Sequence, residues 1–382
     1  MNDAPIIIVG TGLAGYTLAK ELRKLDAEQA IVLLSEDDGH FYSKPLLSTG
    51  LAKGKDVDEL IGSDRARMAD ELKLDIRPFS RVRAIDPERR QLELDEQCLN
   101  YRQLVLATGA APLRLDIPGF ESPGVMAVNN LADYRAFRQR IEGKQRLLIM
   151  GAGLIGCEFA NDLLAAGKSV TLVHPFSVPL SGLVPEPAGQ ALRAGLERAG
   201  AVFELGKMVS AIAPHGDGLR VQLSDGRALE TDLVLSAVGL APRIDLAQTA
   251  GIACRRGICT DSYLATDQPD IYALGDCAEV EGEVRLYVLP LMQAARALAQ
   301  TLSGTPTAVH YPLMPVMSKT PACPVIVLPP QGEGGSWQLQ GEALDVRGEY
   351  RAADSRLQGF VLTGRRIGER QELLQQMAAA AG

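Results

Sequence analysis

Two glycine-rich segments with the same internal spacing constrain this chain more than any other feature. Each follows a short apolar run and opens a helical pattern, which is typical of the strand–turn–helix unit that binds dinucleotides. In such a turn the first glycine allows the tight bend, the second lets the backbone approach a pyrophosphate, and the third permits close helix packing. Two dinucleotide sites are therefore predicted, and their cofactor-binding residues are Gly10, Thr11, Gly12, Leu13, Ala14 and Gly15 in the first segment and Gly151, Gly153, Leu154, Ile155 and Gly156 in the second.

In each strand–turn–helix segment, the residue at the end of the strand that follows the helix helps to determine which dinucleotide binds. Glu36 ends that strand in the first unit, where a carboxylate can accept hydrogen bonds from ribose hydroxyls. His174 occupies the corresponding position of the second unit. An acid there selects NADH and an arginine or lysine selects NADPH, so His174 leaves the choice open. Because no arginine follows the strand, we favour NADH.

Length and charge narrow the class of protein. With 382 residues the chain exceeds what one hydrophobic core usually serves, so two or three domains are expected. A net charge of -8 argues against nucleic acid and anionic membranes as partners. The apolar run at 6–9 is too short for a signal peptide or a spanning helix. We therefore expect a cytoplasmic protein that binds neither nucleic acid nor membrane.

The six cysteines predict neither a disulfide framework nor a metal site. They form no CxxC pair, and the chain is much larger than the small secreted domains that disulfides stabilise. Cys254 and Cys259, taken with the four histidines, match no zinc spacing. We predict mostly buried free thiols and no bound metal.

Three further segments carry a family resemblance. LVLATGAAP (104–112), SAVGLAPR (236–243) and TDQPDIYALGDCAE (266–279) resemble the signature segments of the two-dinucleotide-binding-domain flavoprotein family. The resemblance implies FAD in the first site and electron transfer to it from a nicotinamide nucleotide in the second. It places Asp276 on the ribityl chain of FAD, and the other implied FAD neighbours in these segments are Ala107, Thr108, Gly109 and Gly275.

The fold implied by the resemblance is α/β, with two Rossmann-like dinucleotide-binding domains and a small C-terminal α+β domain. The FAD-binding domain is expected to be discontinuous, from 1–112 and 240–308, with the NAD(P)H-binding domain at 113–239. Residues 309–382 form the expected C-terminal domain, because Pro-bounded strand patterns are followed there by a helical pattern.

The segment after the first unit indicates how electrons leave the flavin. Disulfide reductases of this family carry CxxxxC there, whereas this chain has HFYSKPLLS at 40–48 and its first cysteine at Cys98. Without a thiol in that segment, a dithiol relay and sulfenate chemistry are excluded. Electrons are therefore expected to pass directly from FAD to an external acceptor.

Three stretches narrow the resemblance to one branch of the family. The Tyr-Ser-Lys-Pro segment is similar to that of ferredoxin and rubredoxin reductases, and the stretches 286–302 and 314–327 resemble rubredoxin–NAD reductases. Flavorubredoxin reductases share the last stretch in part. By this resemblance the residues around FAD also include Lys44, Pro45, Val82, Glu158, Val288 and Lys319.

Lys44, Glu158 and Lys319 are the predicted catalytic residues. A fixed ammonium from Lys319 or Lys44 would stabilise the negative charge that reduced flavin develops. Glu158 lies on the first turn of the second unit's helix, where it can pair with Lys44; alternatively it only complements the helix dipole. Hydride transfer itself requires no protein nucleophile or general base.

The resulting prediction is an NADH-dependent flavoprotein that reduces a rubredoxin. A ferredoxin, a flavorubredoxin or an oxygenase component is the alternative acceptor, and an NADH-sensing binding module is the alternative from another class. Because rubredoxins are acidic and so is this chain, docking is expected to need a local cationic patch. The candidate residues for that patch are Lys44, Lys53, Lys55, Arg65, Arg67 and Lys319.

Overall fold

A computed structural model describes residues 4–95 and 97–379, and the chain divides into two compact units. Unit 1 comprises the described residues of Met1–Lys44, Asp58–Ala111 and Leu240–Pro312, and unit 2 those of Pro45–Val57, Pro112–Gly239 and Leu313–Gly382. The unit limits at 111/112, 239/240 and 312/313 lie close to the predicted domain limits at 112, 240 and 308. The division into three functional domains stays a prediction.

Eight α-helices lie in the described part of the chain: α1 (Leu13–Leu25), α2 (Arg65–Leu72), α3 (Leu131–Arg140), α4 (Leu154–Ala165), α5 (Glu186–Arg198), α6 (Asp245–Thr249), α7 (Val288–Leu302) and α8 (Arg370–Ala379). Short 3-10 turns lie at Lys44–Leu46, Asp58–Leu60, Gly275–Cys277 and Gly364–Glu369. Among the described helices, none combines the length and apolar composition that a bilayer crossing requires.

A five-stranded parallel sheet forms the core of unit 1. Its strands in spatial order are Ile271–Ala273, Gln103–Leu106, Ile6–Val9, Ile31–Leu34 and Asp75–Arg77. Every residue of Ile6–Val9 and Ile31–Leu34 is buried, which explains why these strands read as continuous apolar runs. The carboxyl ends of the strands meet at one edge, where α1 begins.

Smaller sheets and loops complete unit 1. Their strands are Val82–Asp86, Gln91–Leu94 and Cys98–Asn100 in one sheet, Phe41–Tyr42 and Ile61–Ser63 in a second, and Ile258–Thr260, Ala278–Val280 and Glu283–Val284 in a third. Two short strands, Ala110–Pro112 and Leu240–Pro242, lie where the chain passes from one unit to the other.

Unit 2 repeats the parallel sheet of unit 1. The strands in spatial order are Val125–Met126, Leu233–Ser236, Arg146–Met150, Ser169–His174 and Val202–Leu205. An antiparallel sheet of Val209–His215, Gly218–Leu223 and Ala228–Thr231 accompanies it, as the corresponding three-stranded sheet does in unit 1. The duplicated Rossmann-like plan predicted from the two glycine segments is confirmed.

The C-terminal part of unit 2 is a second, antiparallel layer of strands with one helix on it. Its strands in spatial order are Val316–Ser318, Val325–Leu328, Leu357–Thr363, Asp345–Arg351 and Ser336–Glu342. Leu373 and Met377 of α8 pack on Ile326, Phe360 and Leu362 of the sheet. The predicted α+β character of this region is confirmed.

Candidate active site

The first glycine turn has no room for side chains at two of its glycines. Gly10 has φ +123°, and a Cβ there would lie 2.2 Å from the Ala107 carbonyl oxygen. A Cβ on Gly15 would lie 2.0 Å from the Gly10 carbonyl oxygen. Both distances are far inside van der Waals contact, so the close approach of α1 to the sheet requires these glycines.

The second turn is built in the same way. Gly151 has φ +99°, and its Cβ would lie 2.4 Å from the Ala237 carbonyl oxygen. A Cβ on Gly156 would lie 2.0 Å from the Gly151 carbonyl oxygen. The two turns therefore share one mechanical design.

The middle glycine of each turn is different, because it faces open space. Apart from the glycine itself and its chain neighbours, no described atom lies within 4 Å of a Cβ built on Gly12 or Gly153. Each of these glycines caps its helix with extended backbone, and neither helix has a side-chain cap on its first N–H groups. Uncapped N–H groups and the positive end of the helix dipole favour an anion. Both turns thus fit the pyrophosphate of a dinucleotide.

Several predicted FAD neighbours in unit 1 lie around the start of α1. A Cβ on Gly275 would lie 2.9 Å from the Ala14 Cβ, so the 3-10 turn Gly275–Cys277 closely approaches the first helical turn. Ala107 follows the strand Gln103–Leu106 and contacts Gly10 as described above, and Val288 is the first residue of α7. The fold therefore gathers residues from three distant sequence segments.

Asp276 has the properties expected of a ligand-binding carboxylate. It is half-buried, and no described residue forms a hydrogen bond with its side chain. Burial raises the pKa of Asp276, and the positive charge of Lys44 opposes this shift. A half-buried carboxyl group is stabilised by a hydrogen bond from a hydroxyl group, and the ribityl chain of FAD carries hydroxyl groups.

We expect Asp276→Ala to weaken flavin retention. A ribityl hydroxyl would lose a charge-assisted hydrogen bond of roughly 1.5–3 kcal/mol, about a tenfold to 150-fold loss of affinity. The measurement is flavin absorbance per protein after extended dialysis. Asp217→Ala, at the exposed turn between Val209–His215 and Gly218–Leu223, is the control. Equal flavin content in the Asp276 variant and the wild type would contradict the assignment.

The other predicted FAD residues of unit 1 make contacts within the protein. Glu36 is exposed and forms ion pairs with Arg81 at 3.5 Å and Arg243 at 3.2 Å. The Thr11 hydroxyl is buried against the Ser35 hydroxyl. These contacts hold the end of the strand Ile31–Leu34 and leave the role of Glu36 toward ribose a prediction.

Three more predicted neighbours of FAD in unit 1 are Thr108, Gly109 and Val82. The Thr108 hydroxyl donates to the Arg243 carbonyl oxygen at 3.0 Å, and Gly109 has φ +72° with open space around its Cβ position. Val82 is buried at the start of its strand.

The side chain of His174, at the end of its strand, points into the protein interior. Its Nδ1 accepts from the Ala152 backbone N–H at 3.2 Å, and its Nε2 lies 3.0 Å from the Ser181 hydroxyl. Burial lowers the pKa of His174, so the neutral ring is favoured. Because Nδ1 accepts, the proton resides on Nε2 and is donated to Ser181. Both ring nitrogens are thus occupied by contacts that brace the second glycine turn.

A partly buried ion pair lies on the first turns of α4 in unit 2. Glu158 is 3% exposed, and its Oε1 accepts from the Lys319 backbone N–H at 2.9 Å. The Lys319 Nζ lies 3.1 Å from Glu158 Oε2 and donates to the Pro45 carbonyl oxygen. The Ser48 hydroxyl donates to Oε2 at 2.5 Å. Three predicted FAD residues, Pro45, Glu158 and Lys319, are therefore brought together.

The face of α4 that carries Glu158 also holds the segment 45–57. Asp162, one turn later, accepts from the backbone N–H groups of Leu51 at 3.1 Å and Ala52 at 2.8 Å. Burial raises the pKa of Asp162, and these two N–H donors oppose the shift. Asn161 accepts from the Ala322 backbone N–H at 3.0 Å, which ties the stretch after Lys319 to the same helix.

The predicted cationic patch divides between the two units. Lys53 is exposed and Lys55 half-buried, both in the segment 45–57 of unit 2. Arg65 and Arg67 belong to α2 of unit 1, and Arg67 is paired with Glu71 at 2.6 Å. A paired arginine is a weaker attraction for an acidic partner, so Lys53 and Lys55 are the stronger candidates.

Sequence reasoning missed three residues that position the predicted ones. Arg243 pairs with Glu36, Ser48 binds Glu158, and Asp162 holds the segment 45–57. Arg243 closes the recognised segment SAVGLAPR, and Ser48 closes HFYSKPLLS, so both lay within segments already singled out. Asp162 stands one helical turn after Glu158, a spacing that places both acids on one face.

Comparison with known proteins agrees with this geometry. Residues 4–301 match the pyridine nucleotide-disulphide oxidoreductase family, and residues 308–377 match a domain described as the rubredoxin binding C-terminal domain. The chain belongs to the pyridine nucleotide-disulphide oxidoreductase family, and it is therefore an oxidoreductase. All six of its cysteines are free, three of them buried.

Individual relatives match along the whole chain. The rubredoxin-NAD(+) reductase of Alcanivorax borkumensis is 48% identical over 98% of this chain and 99% of its own length. The nitric oxide reductase FlRd-NAD(+) reductase of Aeromonas salmonicida is 41% identical over 97% of this chain and 96% of its own length. The solved structure of the ferredoxin reductase for the CYP199A2 system of Rhodopseudomonas palustris superimposes with a TM-score of 0.89. The superposition covers 97% of this chain and 93% of that structure, at 28% sequence identity. The predicted fold class and family are confirmed.

Proposed function

We propose that this protein is an FAD-containing, NADH-dependent reductase of rubredoxin. One observation carries the proposal: two open glycine turns that fit dinucleotides occur in one chain with a C-terminal region matching the rubredoxin binding domain. The Alcanivorax relative, named rubredoxin-NAD(+) reductase, supports it along the full length. We further propose that the reaction takes place in the cytoplasm, where thiols stay reduced.

FAD is assigned to the first turn and NADH to the second. Gly12 and the start of α1 would receive the FAD pyrophosphate, with Asp276 on the ribityl chain and Glu36 toward the ribose. Gly153 and the start of α4 would receive the NADH pyrophosphate. Bound FAD supplies the exchange of one two-electron hydride for two single electrons.

The predicted catalytic residues supply charge. Lys319 is 34% exposed, and its pairing with the buried Glu158 carboxylate holds its ammonium in position. A fixed positive charge favours the form of a bound group that carries more negative charge, and it needs no rearrangement during the reaction. In unit 1, Lys44 places a positive charge near Asp276. No thiol is placed in the electron path.

The choice of NADH follows from the region after the strand Ser169–His174. His174 is occupied by Ala152 and Ser181, and the stretch 175–182 contains no lysine or arginine to bind a 2′-phosphate. An exposed aromatic ring, Phe176, lies edge-on to His174 with ring centroids 5.4 Å apart. This uncharged surface suits the unphosphorylated nucleotide.

A stopped-flow panel tests the proposal. The flavin of the purified protein is reduced anaerobically with NADH or NADPH and then mixed with purified rubredoxin, ferredoxin or flavorubredoxin. We expect fast reduction by NADH and fastest re-oxidation by rubredoxin. Protein without flavin, or a flavin that no carrier re-oxidises, would refute the proposal.

Reduction of a flavorubredoxin is the second candidate function. The Aeromonas relative named nitric oxide reductase FlRd-NAD(+) reductase is 41% identical to this chain, compared with 48% for the relative named rubredoxin-NAD(+) reductase. The same panel separates the two functions, because the preferred carrier gives the larger second-order rate constant at low carrier concentration.

We expect reversal of charge at Lys53 and Lys55 to slow rubredoxin reduction at low ionic strength. Electron carriers dock in weak, transient complexes, so steering acts on the association rate. Reduction of the flavin by NADH should not change, and the effect should vanish in roughly 1 M salt, where the Debye length is about 3 Å. Second-order rate constants measured against salt concentration provide the test.

The control for this prediction is Lys24→Glu with Arg89→Glu on unit 1. Both side chains are largely exposed, and the double variant changes the net charge by the same amount. If the control slows rubredoxin reduction as much as the Lys53 and Lys55 variant does, net charge and not a local patch governs the encounter.

A further inference from the structure

Four charged side chains of unit 2 form an ion-pair cluster close to the strand end at His174. They are Glu204, Lys207, Asp225 and Arg227. The Lys207 Nζ lies 2.5 Å from Glu204 Oε2, and the Arg227 guanidinium donates to the same oxygen. Asp225 Oδ2 accepts from Arg227 Nε at 2.9 Å and lies 3.5 Å from the Lys207 Nζ. Two cations and two carboxylates therefore balance one another.

The backbone places Lys207 directly beside His174. The Lys207 N–H donates to the His174 carbonyl oxygen at 3.1 Å, and the Gly206 N–H donates to the Phe176 carbonyl oxygen at 3.0 Å. The strand Val202–Leu205 pairs in parallel with the strand that His174 ends, so both strands end at the same edge of the sheet. A Rossmann-like domain holds the ribose of its dinucleotide at that edge.

A lysine at this edge is the kind of residue that would select a phosphorylated nucleotide. NADPH differs from NADH by a strongly negative 2′-phosphate on the ribose, and an arginine or lysine nearby binds that group. The flexible stem of Lys207 could carry its ammonium toward a phosphate. The ammonium is instead paired with Glu204, as is the guanidinium of Arg227.

Glu204 is the centre of the cluster because both cations contact its Oε2. Its side chain is 13% exposed, whereas that of Asp225 is 33% exposed, so Glu204 is the better shielded acid. Burial acts to raise the pKa of Glu204, but hydrogen bonds from Arg227 and Lys207 overcome this effect, and the pKa lies below its usual value. The carboxylate is therefore ionised at neutral pH and holds both cations.

We propose that Glu204 sets the preference for NADH over NADPH by withholding Lys207 and Arg227 from a 2′-phosphate. The inference rests on the proposed function, which assigns NADH to the turn at Gly153. With all four side chains ionised, the cluster is neutral and adds no net attraction for a phosphate. Without the charge of Glu204, the cluster would carry one positive charge beside the edge assigned to the ribose. Glu204 is thus a positioning residue that acts through two cations.

The test is calorimetric titration of the purified protein, with its flavin bound, against NAD+ and NADP+. Glu204→Gln keeps the size of the side chain and removes its charge. We expect NADP+ to bind about tenfold more tightly to this variant, because a half-exposed cation gains a charge-assisted hydrogen bond to the phosphate. The affinity for NAD+ should stay within about twofold, since NAD+ lacks the phosphate. A merely structural role would weaken the binding of both nucleotides alike.

Three further variants control the experiment. Glu230→Gln makes the same change in net charge, but Glu230 pairs with Arg146, which begins its strand at the other edge of the parallel sheet, so neither affinity should change. Lys207→Met added to Glu204→Gln should remove most of the gain for NADP+. Asp225→Asn, in an exposed turn, also leaves one net positive charge and should give a smaller gain, so it provides the test if Glu204→Gln fails to fold.

The possible results separate this inference from the proposed function. Unchanged affinity for NADP+ in both Glu204→Gln and Asp225→Asn, or equal gains for NAD+ and NADP+, would overturn the role of Glu204. If Glu204→Gln gives the selective gain but the wild type does not reduce rubredoxin with NADH, the proposed function is wrong and the role of Glu204 is supported.

Discussion

Gly153→Ala should leave a folded, yellow protein that NADH reduces very slowly. Gly153 has φ −75° and ψ −171°, which alanine adopts without strain, and beyond its chain neighbours no described atom lies within 4 Å of its Cβ position. The added methyl group therefore meets only the space assigned to the NADH pyrophosphate. Displacing a bound substrate by about 1 Å can cost 100-fold, and we expect a loss of at least roughly that size.

The two turns provide matched controls for each other. Gly12→Ala, in the same backbone conformation, should lose FAD while keeping the fold. Gly156→Ala should instead impair folding, because its Cβ would lie 2.0 Å from the Gly151 carbonyl oxygen. Flavin content, anaerobic flavin reduction and calorimetric titration with NAD+ distinguish the three variants. Wild-type affinity for NAD+ in Gly153→Ala would show that the second turn does not bind the nucleotide.

Lys319→Met should strongly destabilise unit 2. The substitution leaves the Glu158 carboxylate 3% exposed without its cation, and breaking one side of a buried pair typically costs about 3–5 kcal/mol. Because the Lys319 side chain is 34% exposed, water screens part of the charge, and we expect a smaller loss of roughly 2–3 kcal/mol. The single tryptophan, Trp337, lies in the C-terminal sheet of unit 2, so its fluorescence during urea unfolding reports this change.

The double variant Lys319→Met with Glu158→Gln should recover part of the lost stability. It removes both charges, so no unpaired carboxylate remains buried. Lys24→Met, at an exposed position of α1, is the control for the loss of a lysine. If Lys319→Met alone unfolds at the same urea concentration as the wild type, the pair does not stabilise the fold.

The glycine turns could be predicted because their constraints are local. Gly10 and Gly151 need a positive φ and a close approach that only glycine tolerates, so sequence spacing alone reveals them. The first residues of the helices were harder to predict from the sequence. α1 begins at Leu13 directly after the N-cap Gly12, and no Ser, Thr, Asp or Asn cap marks that start in the sequence.

Two helices of unit 2 were not predicted. α3 carries its buried residues Leu131, Tyr134 and Phe137 at three-residue intervals between many charged side chains, so its apolar stripe is thin. α5 begins next to Pro185 and contains Pro187 in its first turn. In a sequence, proline usually predicts a loop or turn, although the first turn of a helix tolerates it.

The cluster around Glu158 could not be predicted from spacing. Ser48, Glu158 and Lys319 are 110 and 161 residues apart along the chain, and no periodic pattern connects such positions. The family resemblance supplied Glu158 and Lys319, and the sequence suggested Lys44 as the partner of Glu158, which stays a prediction. Only the folded structure of unit 2 shows that Lys319 pairs with Glu158 and that Ser48 bridges them.

One face of α4 has a consequence for engineering new carrier specificity. Glu158 and Asp162 hold the segment 45–57, while Glu158 and Asn161 hold the stretch that begins with Lys319. A chimera that imports only residues 313–382 from a relative would place a foreign loop against a native helix face. A chimera should therefore exchange three parts together: the segment 45–57, α4 and the C-terminal region.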